Sequence, residues 1–204
     1  MKYGDLTLGQ VEAIVNKLGG IDGVGRFLRD ELVVAEPTRS WSEQDGVITF
    51  SVTSDGTTGV EWIKRLEGKN LRSSDYAKRV LVHEDFKPTK GVTTEIVVLK
   101  GMLWNDNDRV TTNIRAEADR RKLVKPNPEV ACLIREKFTD SEIEAMGLVW
   151  IIAMHDTIEI GGVPDLLGAP RHDAGRWLHA CRGRPGRRWV RDGGFAFAAS
   201  QVSS

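Results

Sequence analysis

The chain has 204 residues, 40% of them apolar and 28% charged, and its 29 basic and 29 acidic side chains cancel. That composition fits a globular protein of one domain plus a small appendage, and it excludes the disordered, collagen-like and disulfide-scaffold classes. No apolar run approaches the ~20 residues that cross a bilayer, and no charged and apolar leader opens the chain at Met1. Cys132 and Cys181 stand far apart, with no CxxC or finger spacing, so the expectation is a cytoplasmic protein with two reduced thiols and no membrane partner.

At the N-terminus, Thr7 precedes an apolar stripe of Leu8, Val11, Ile14, Val15 and Leu18 at helical spacing. Gln10, three residues after Thr7, completes a capping box, and Leu6 and Val11 are placed as its hydrophobic staple. Gly19-Gly20 stops the helix. Asp22 then opens a second one, loosened by Gly23 and Gly25, with Val24, Phe27, Leu28 and Leu32 facing inward. Residues 1–34 are therefore expected to form a helical hairpin that needs a packing partner, since neither helix is long enough to hold alone.

Residues 35–59 carry turn and linker chemistry: Glu36-Pro37, Asp45-Gly46 and the run Ser54 to Gly59. Val47 to Thr53 reads as one strand inside this boundary segment. From Val60 a larger body begins. Val60, Ile63 and Leu66 define a short helix with Trp62 on its flank, and Ser74 caps another that holds Tyr76, Ala77, Val80 and Leu81. The β-branched stretch from Thr93 to Leu103 reads as a buried strand. A charged surface helix follows from Thr112 to Lys122, with Ile114 and Ala118 as its inward positions.

The clearest local code lies at 126–148. Asn127 caps, Pro128 takes the first helical position, and Val130, Leu133, Ile134 and Phe138 form the buried stripe. Thr139 with Glu142 makes a second capping box, stapled by Phe138 and Ile143, and Gly147 suits a left-handed stop closed by Leu148. The apolar run Leu148 to Met154 is a central strand, continuing to about residue 160. Three more strands, Arg176 to Arg182, Arg187 to Arg191 and Phe195 to Val202, are separated by Gly183-Arg184-Pro185-Gly186 and Asp192-Gly193-Gly194. The expected fold class is α+β: an N-terminal helical hairpin (1–34), a linker (35–59), and a body (60–204) in which several short helices pack on an antiparallel sheet.

Leu6 to Glu12 followed by Asn16-Lys17-Leu18-Gly19-Gly20 resembles an N-terminal segment shared by many short proteins of small-genome, largely uncultivated bacteria. Gly59 to Ile63, Asn127 to Glu136 and Gly193 to Phe197 resemble one family within that group. The resemblance spans most of the chain. It implies a recurrent helical leader joined to a separate α+β body, and it implies no activity, ligand or catalytic residue.

Three constellations bear on function. From residue 171 to 191, seven arginines (Arg171, Arg176, Arg182, Arg184, Arg187, Arg188, Arg191) stand against Asp173 alone, a local charge of +6, with Trp177 and Trp189 interleaved. Guanidinium forks bind phosphates and indoles stack on unpaired bases, so this tail is the candidate contact for nucleic acid or an acidic protein. On a strand, Arg176, Leu178, Ala180 and Arg182 share one face and Trp177, His179 and Cys181 the other. That separation favours tryptophan in the core and arginine in water. The helix pair over 128–146 resembles a DNA-reading corner, but its second helix carries Asp140, Glu142 and Glu144, which phosphate repels. His155, His172, His179 and Cys181 carry metal-ligand chemistry without the spacing of any known module. There is no Gly-x-Ser-x-Gly, phosphate loop or dinucleotide fingerprint. No cofactor is implied. The sequence points to a binding module with a basic C-terminal patch, and, as the alternative, to a small metal-dependent hydrolase built on the His/Cys set.

Overall fold

The computed structural model describes residues 7–33, 39–172 and 175–200. The chain divides into two compact units, Met1–Arg39 and Ser40–Ser204. Among the described residues no helix is long and apolar enough to cross a membrane.

The first unit holds α1 (Leu8–Leu18) and α2 (Gly20–Leu28), which touch each other. The Thr7–Gln10 capping box forms: the Gln10 amide donates to Thr7 Oγ1 at 3.3 Å and the Thr7 amide to Gln10 Oε1 at 2.8 Å. Its staple partner Leu6 lies outside the described residues. Gly19, at φ 92°, ends α1 and also opens α2. Asp22 is thus not the cap; it sits in the first turn, where a carboxylate complements the helix dipole. Gly23 is the one buried residue of these two helices, because a Cβ there would lie 1.6 Å from the Leu18 carbonyl oxygen. The inward set expected for α2 is only half realised: Val24 and Leu32 are half-buried, but Phe27 and Leu28 are 41% and 75% exposed.

The second unit is α+β. Its strands are β1 (Ser42–Gln44), β2 (Val47–Asp55), β3 (Arg72–Ser73), β4 (Lys90–Lys100), β5 (Leu123–Val124), β6 (Trp150–Ala153), β7 (Ile158–Ile160), β8 (Val163–Pro170), β9 (Trp177–Arg182) and β10 (Gly193–Ala199). Its helices are α3 (Gly59–Gly68), α4 (Asp75–Leu81), α5 (Thr111–Arg120), α6 (Val130–Lys137) and α7 (Asp140–Ala145), with a 3₁₀ turn at Gly101–Leu103. One ten-stranded sheet runs β1-β2-β4-β10-β6-β8-β9-β3, with β5 also on β10 and β7 also on β8. Pairing is antiparallel except for β10 with β6 and β3 with β9.

Strand alternation buries both faces at the centre of this sheet. On one face Phe50, Ile96, Ile151, Leu167, Leu178 and Ala196 meet apolar residues of α3, α4, α6 and α7. On the other, Leu99, Ile152, Leu166, Phe195 and Phe197 pack under Ile114 and Ala118 of α5 and the Trp189 ring. Two-sided burial explains why residues 148–154 read as an unbroken apolar run.

Several sequence expectations change here. β1 and β2 form a hairpin through Asp45 and Gly46, both at positive φ (50° and 75°), as a two-residue primed turn requires. β2 then pairs with β4 from Val47 to Asp55. Most of the segment read as linker with one possible strand, residues 42–55, is therefore part of the sheet, and α3 carries its own capping box at Thr58 and Glu61. Trp62 sits in the core at 1% exposure while Val60 is 53% exposed, so these two exchange their expected places, whereas Leu66 is buried and Ile63 packs on the core as expected. Residues 187–191 make a single bridge, Arg188 with Val110, in place of a strand.

Candidate nucleic-acid interface

The loop from Gly183 to Asp192 joins β9 to β10 across the start of α5. A helix leaves its first amides without intrahelical partners, and α5 has no side-chain cap at Val110. The loop supplies the acceptors: the Thr111 amide donates to the Arg187 carbonyl and the Thr112 amide to the Pro185 carbonyl, each at 3.1 Å. The Thr112 hydroxyl also donates to Pro185 O, and the Trp189 indole N–H to Thr111 Oγ1 at 3.0 Å. On the far side, buried Arg109 donates to Gly101 O (2.7 Å), Trp104 O (2.9 Å) and Trp189 O (3.4 Å) and pairs with Asp106. The hairpin chemistry read over 183–186 therefore builds a helix-capping loop, with its backbone fixed at Pro185, Arg187 and Trp189.

This frame divides the seven arginines. Arg182, Arg184, Arg187, Arg188 and Arg191 are exposed, and none forms an ion pair among the described residues. Arg187 lies over the Trp189 ring, 5.1 Å from its centroid, and Arg188 donates to Asn107 Oδ1 at 3.2 Å. The other two are engaged. Arg171 pairs with Glu144. Arg176 is half-buried and donates to the backbone oxygens of Arg135 (2.8 Å) and Phe138 (2.6 Å), bracing the α6–α7 corner against β9. Asp173 lies outside the described residues.

The expected split of β9 into a core face and a wet face holds only at its end, where Cys181 packs on the core and Arg182 is exposed. Leu178, on the Arg176 side, is the fully buried residue, whereas Trp177 and His179 on the opposite side are half-buried. Trp189, 5% exposed and edge-to-face with Trp150 and Phe195, offers no open ring to a base.

The metal-ligand candidates do not converge, and among the described residues no three His, Cys, Asp or Glu side chains are grouped to hold an ion. His155 is fully buried and both ring nitrogens are used: Nε2 accepts from the Leu167 amide at 2.9 Å, so Nδ1 carries the proton and donates to Asp156 O at 2.6 Å. Burial pulls its pKa down to about 4. Cys181 Sγ rests on the Leu166 carbonyl, and burial pushes its thiol up to about 12. The Trp177 ring contacts both His172 and His179, at centroid distances of 6.4 and 5.3 Å. Burial, and then His172, lower the His179 pKa.

Two features escape the sequence. A cleft of about 500 Å³ opens beside the arginine loop, lined by Thr112, Arg115, Asp119, Lys125, Asp156 and Pro185. Its Arg115 guanidinium is spent on the carbonyls of Met154 (3.0 Å) and His155 (2.9 Å), and Lys125 pairs with Asp156. At the other end of β9, Arg72 of β3 is paired with Trp177 and its guanidinium lies 5.4 Å from the indole centroid. Both arrangements join residues from distant parts of the chain. No protein-family model, curated protein or solved structure matches the chain.

Proposed function

We propose that the protein is a nucleic-acid-binding module whose β9–β10 loop holds phosphates. The observation that carries this reading is the set of four exposed arginines, Arg184, Arg187, Arg188 and Arg191, that form no ion pair among the described residues on a loop tied to α5 and Arg109, with Arg182 beside them facing Asp165 across the strand pair. A guanidinium on a fixed backbone loses less freedom when it meets a phosphate than one on a mobile tail, and an unpaired one has no ion pair to break. The balanced charge of the whole chain does not oppose this, because a patch acts within a Debye length of roughly 8 Å. In this reading the protein works in the cytoplasm, and the N-terminal helices form a hairpin leader that serves as a separate docking element.

Salt dependence is the test. Binding of a labelled single-stranded RNA or DNA is expected to weaken steeply as salt rises, since each phosphate neutralised releases counterions. Replacing Arg184, Arg187 and Arg188 together with Ala is expected to weaken binding and to flatten the log–log slope by about two units for a single strand. Wild-type protein that binds no nucleic acid at low salt overturns the proposal. Binding to an acidic polypeptide in its place assigns the loop to an acidic protein partner.

A further inference from the structure

We infer that the pocket at the β3 edge of the sheet holds an unpaired base, which makes the ligand single-stranded nucleic acid and not duplex or a general polyanion; this rests on the phosphate-binding reading of the arginine loop. Two parallel-strand bonds build the pocket: the Arg72 amide donates to Arg176 O at 2.8 Å and the Ser74 amide to Leu178 O at 3.0 Å. They bring the Arg72 side chain over Trp177. The space beside them, about 410 Å³, is lined by Trp177, Arg72, Asn70, Leu71 and Ser73 and by the Lys78–Glu67 ion pair.

These walls suit a base better than a phosphate. Lys78 is held by Glu67 at 2.7 Å, so it offers no free charge. What remains is one indole, one guanidinium, the Asn70 side-chain amide and the buried Ser73 hydroxyl, which has no hydrogen-bond partner among the described residues. Indole and guanidinium planes both stack on bases, whatever the sequence. Asn70 is exposed; its backbone amide donates to Glu67 O at 3.0 Å, but its side-chain amide makes no hydrogen bond among the described residues, which leaves donor and acceptor for a base edge. Trp177 has no core role to explain its place, because its strand neighbour Leu178 fills the core and its own neighbours are Arg72, His172 and His179. β9 also links the two sites. Trp177 opens the strand and Arg182 closes it, a separation of roughly 17 Å at the strand rise. A short single strand can place a base at one end and phosphates at the arginine loop. A duplex keeps its bases stacked and paired, out of the pocket's reach.

The test compares three probes at low salt: a labelled oligodeoxythymidine, the same strand with abasic sites, and inorganic polyphosphate. Trp177→Ala is expected to weaken the normal strand by roughly tenfold or more, to leave abasic strand and polyphosphate near wild type, and to keep the salt slope unchanged. Trp177→Phe, which retains a ring, is expected to recover most of the loss. Should Trp177→Ala fail to fold, Asn70→Gly, which accepts the positive φ of 56° at that position without strain, carries the same comparison. If these variants bind the normal strand like wild type while the triple arginine variant does not, the base pocket is overturned and the phosphate loop stands. If wild type binds none of the three probes, the phosphate reading falls, and the base pocket with it.

Discussion

At the scale of single residues, Gly147 and His155 show what a sequence reveals and what it hides. The α7 stop is a Schellman arrangement: the Leu148 amide donates to Ile143 O at 3.0 Å, the Gly147 amide to Glu144 O at 2.8 Å, and Gly147 stands at φ 70°. All its members lie within six residues, so it was legible, as were the capping boxes at Thr7 and Thr139. The same signature at Thr58 and Glu61 was hidden by the turn-rich residues before it. Gly147→Val is expected to destabilise by more than about 1 kcal/mol in thermal melts, since a β-branched residue is strained at positive φ. The nearest atom to an added Cβ is the flexible Lys100 Nζ at 3.3 Å, so backbone strain and not a clash sets the cost. His155 looked like a metal ligand because its partner, the Leu167 amide, lies on another strand. Its folded pKa of about 4 is below the ordinary 6.5. The unfolded chain therefore binds the proton first as pH falls, and the stabilisation present above pH 6.5 is lost on the way to pH 4, by about 3 kcal/mol. His155→Gln is expected to remove that slope from a pH series of unfolding curves. Asp55 and Glu117, held down to about 2 by their hydrogen-bonding partners, lose their contributions only at lower pH.

At the scale of elements, one residue type serves two purposes according to what lies opposite it. The spacing of the arginines was visible in the sequence, but which of them face water was not. Arg176 finds the carbonyls of Arg135 and Phe138 because β9 runs under the α6–α7 corner, some forty residues back in the chain. Arg135 is itself fully buried, bonded to Pro170 O at 2.9 Å and paired with Asp140. Likewise residues 187–191 became a capping loop and not a strand because α5 lacks a side-chain cap and takes the loop's carbonyls. Arg176→Ala is expected to cost about 1.5–3 kcal/mol, the range for hydrogen bonds made by a charged donor. Arg184→Ala is expected to stay within about 0.5 kcal/mol, as surface changes do. Urea unfolding of the two variants checks this, and equal losses would mean that the loop arginines are also structural.

At the scale of the whole molecule, the turn-rich stretch misplaces the boundary. The alternation of Val47 to Thr53 identifies a strand, but its partner β4 lies about forty residues on, and pairing at that distance leaves no local trace. Without the pairing, Asp45-Gly46 and the run Ser54 to Gly59 read as linker, whereas they are a hairpin turn and the approach to α3. The division of the chain into two compact units falls between Arg39 and Ser40, and this gives a sharp expectation for fragments. Residues 40–204 keep every strand and both sides of the core, so this fragment is expected to unfold cooperatively within a few degrees of the full chain. A fragment beginning at Val60 loses β1 and β2, and with them Ile48, Phe50 and Val52, all 6% exposed or less. Burying such side chains contributes about 1.5–3 kcal/mol each, and the loss also bares the edge of β4. Against a total stability of about 5–15 kcal/mol, that is enough to prevent folding. α1 and α2 bury little, since Gly23 is their one buried residue, so the piece 1–39 is expected to show weak helicity. Circular dichroism and thermal unfolding of the three pieces decide the point: a cooperative transition in the fragment from Val60 would show that β2 is dispensable and that the body begins where the turn-rich stretch ends.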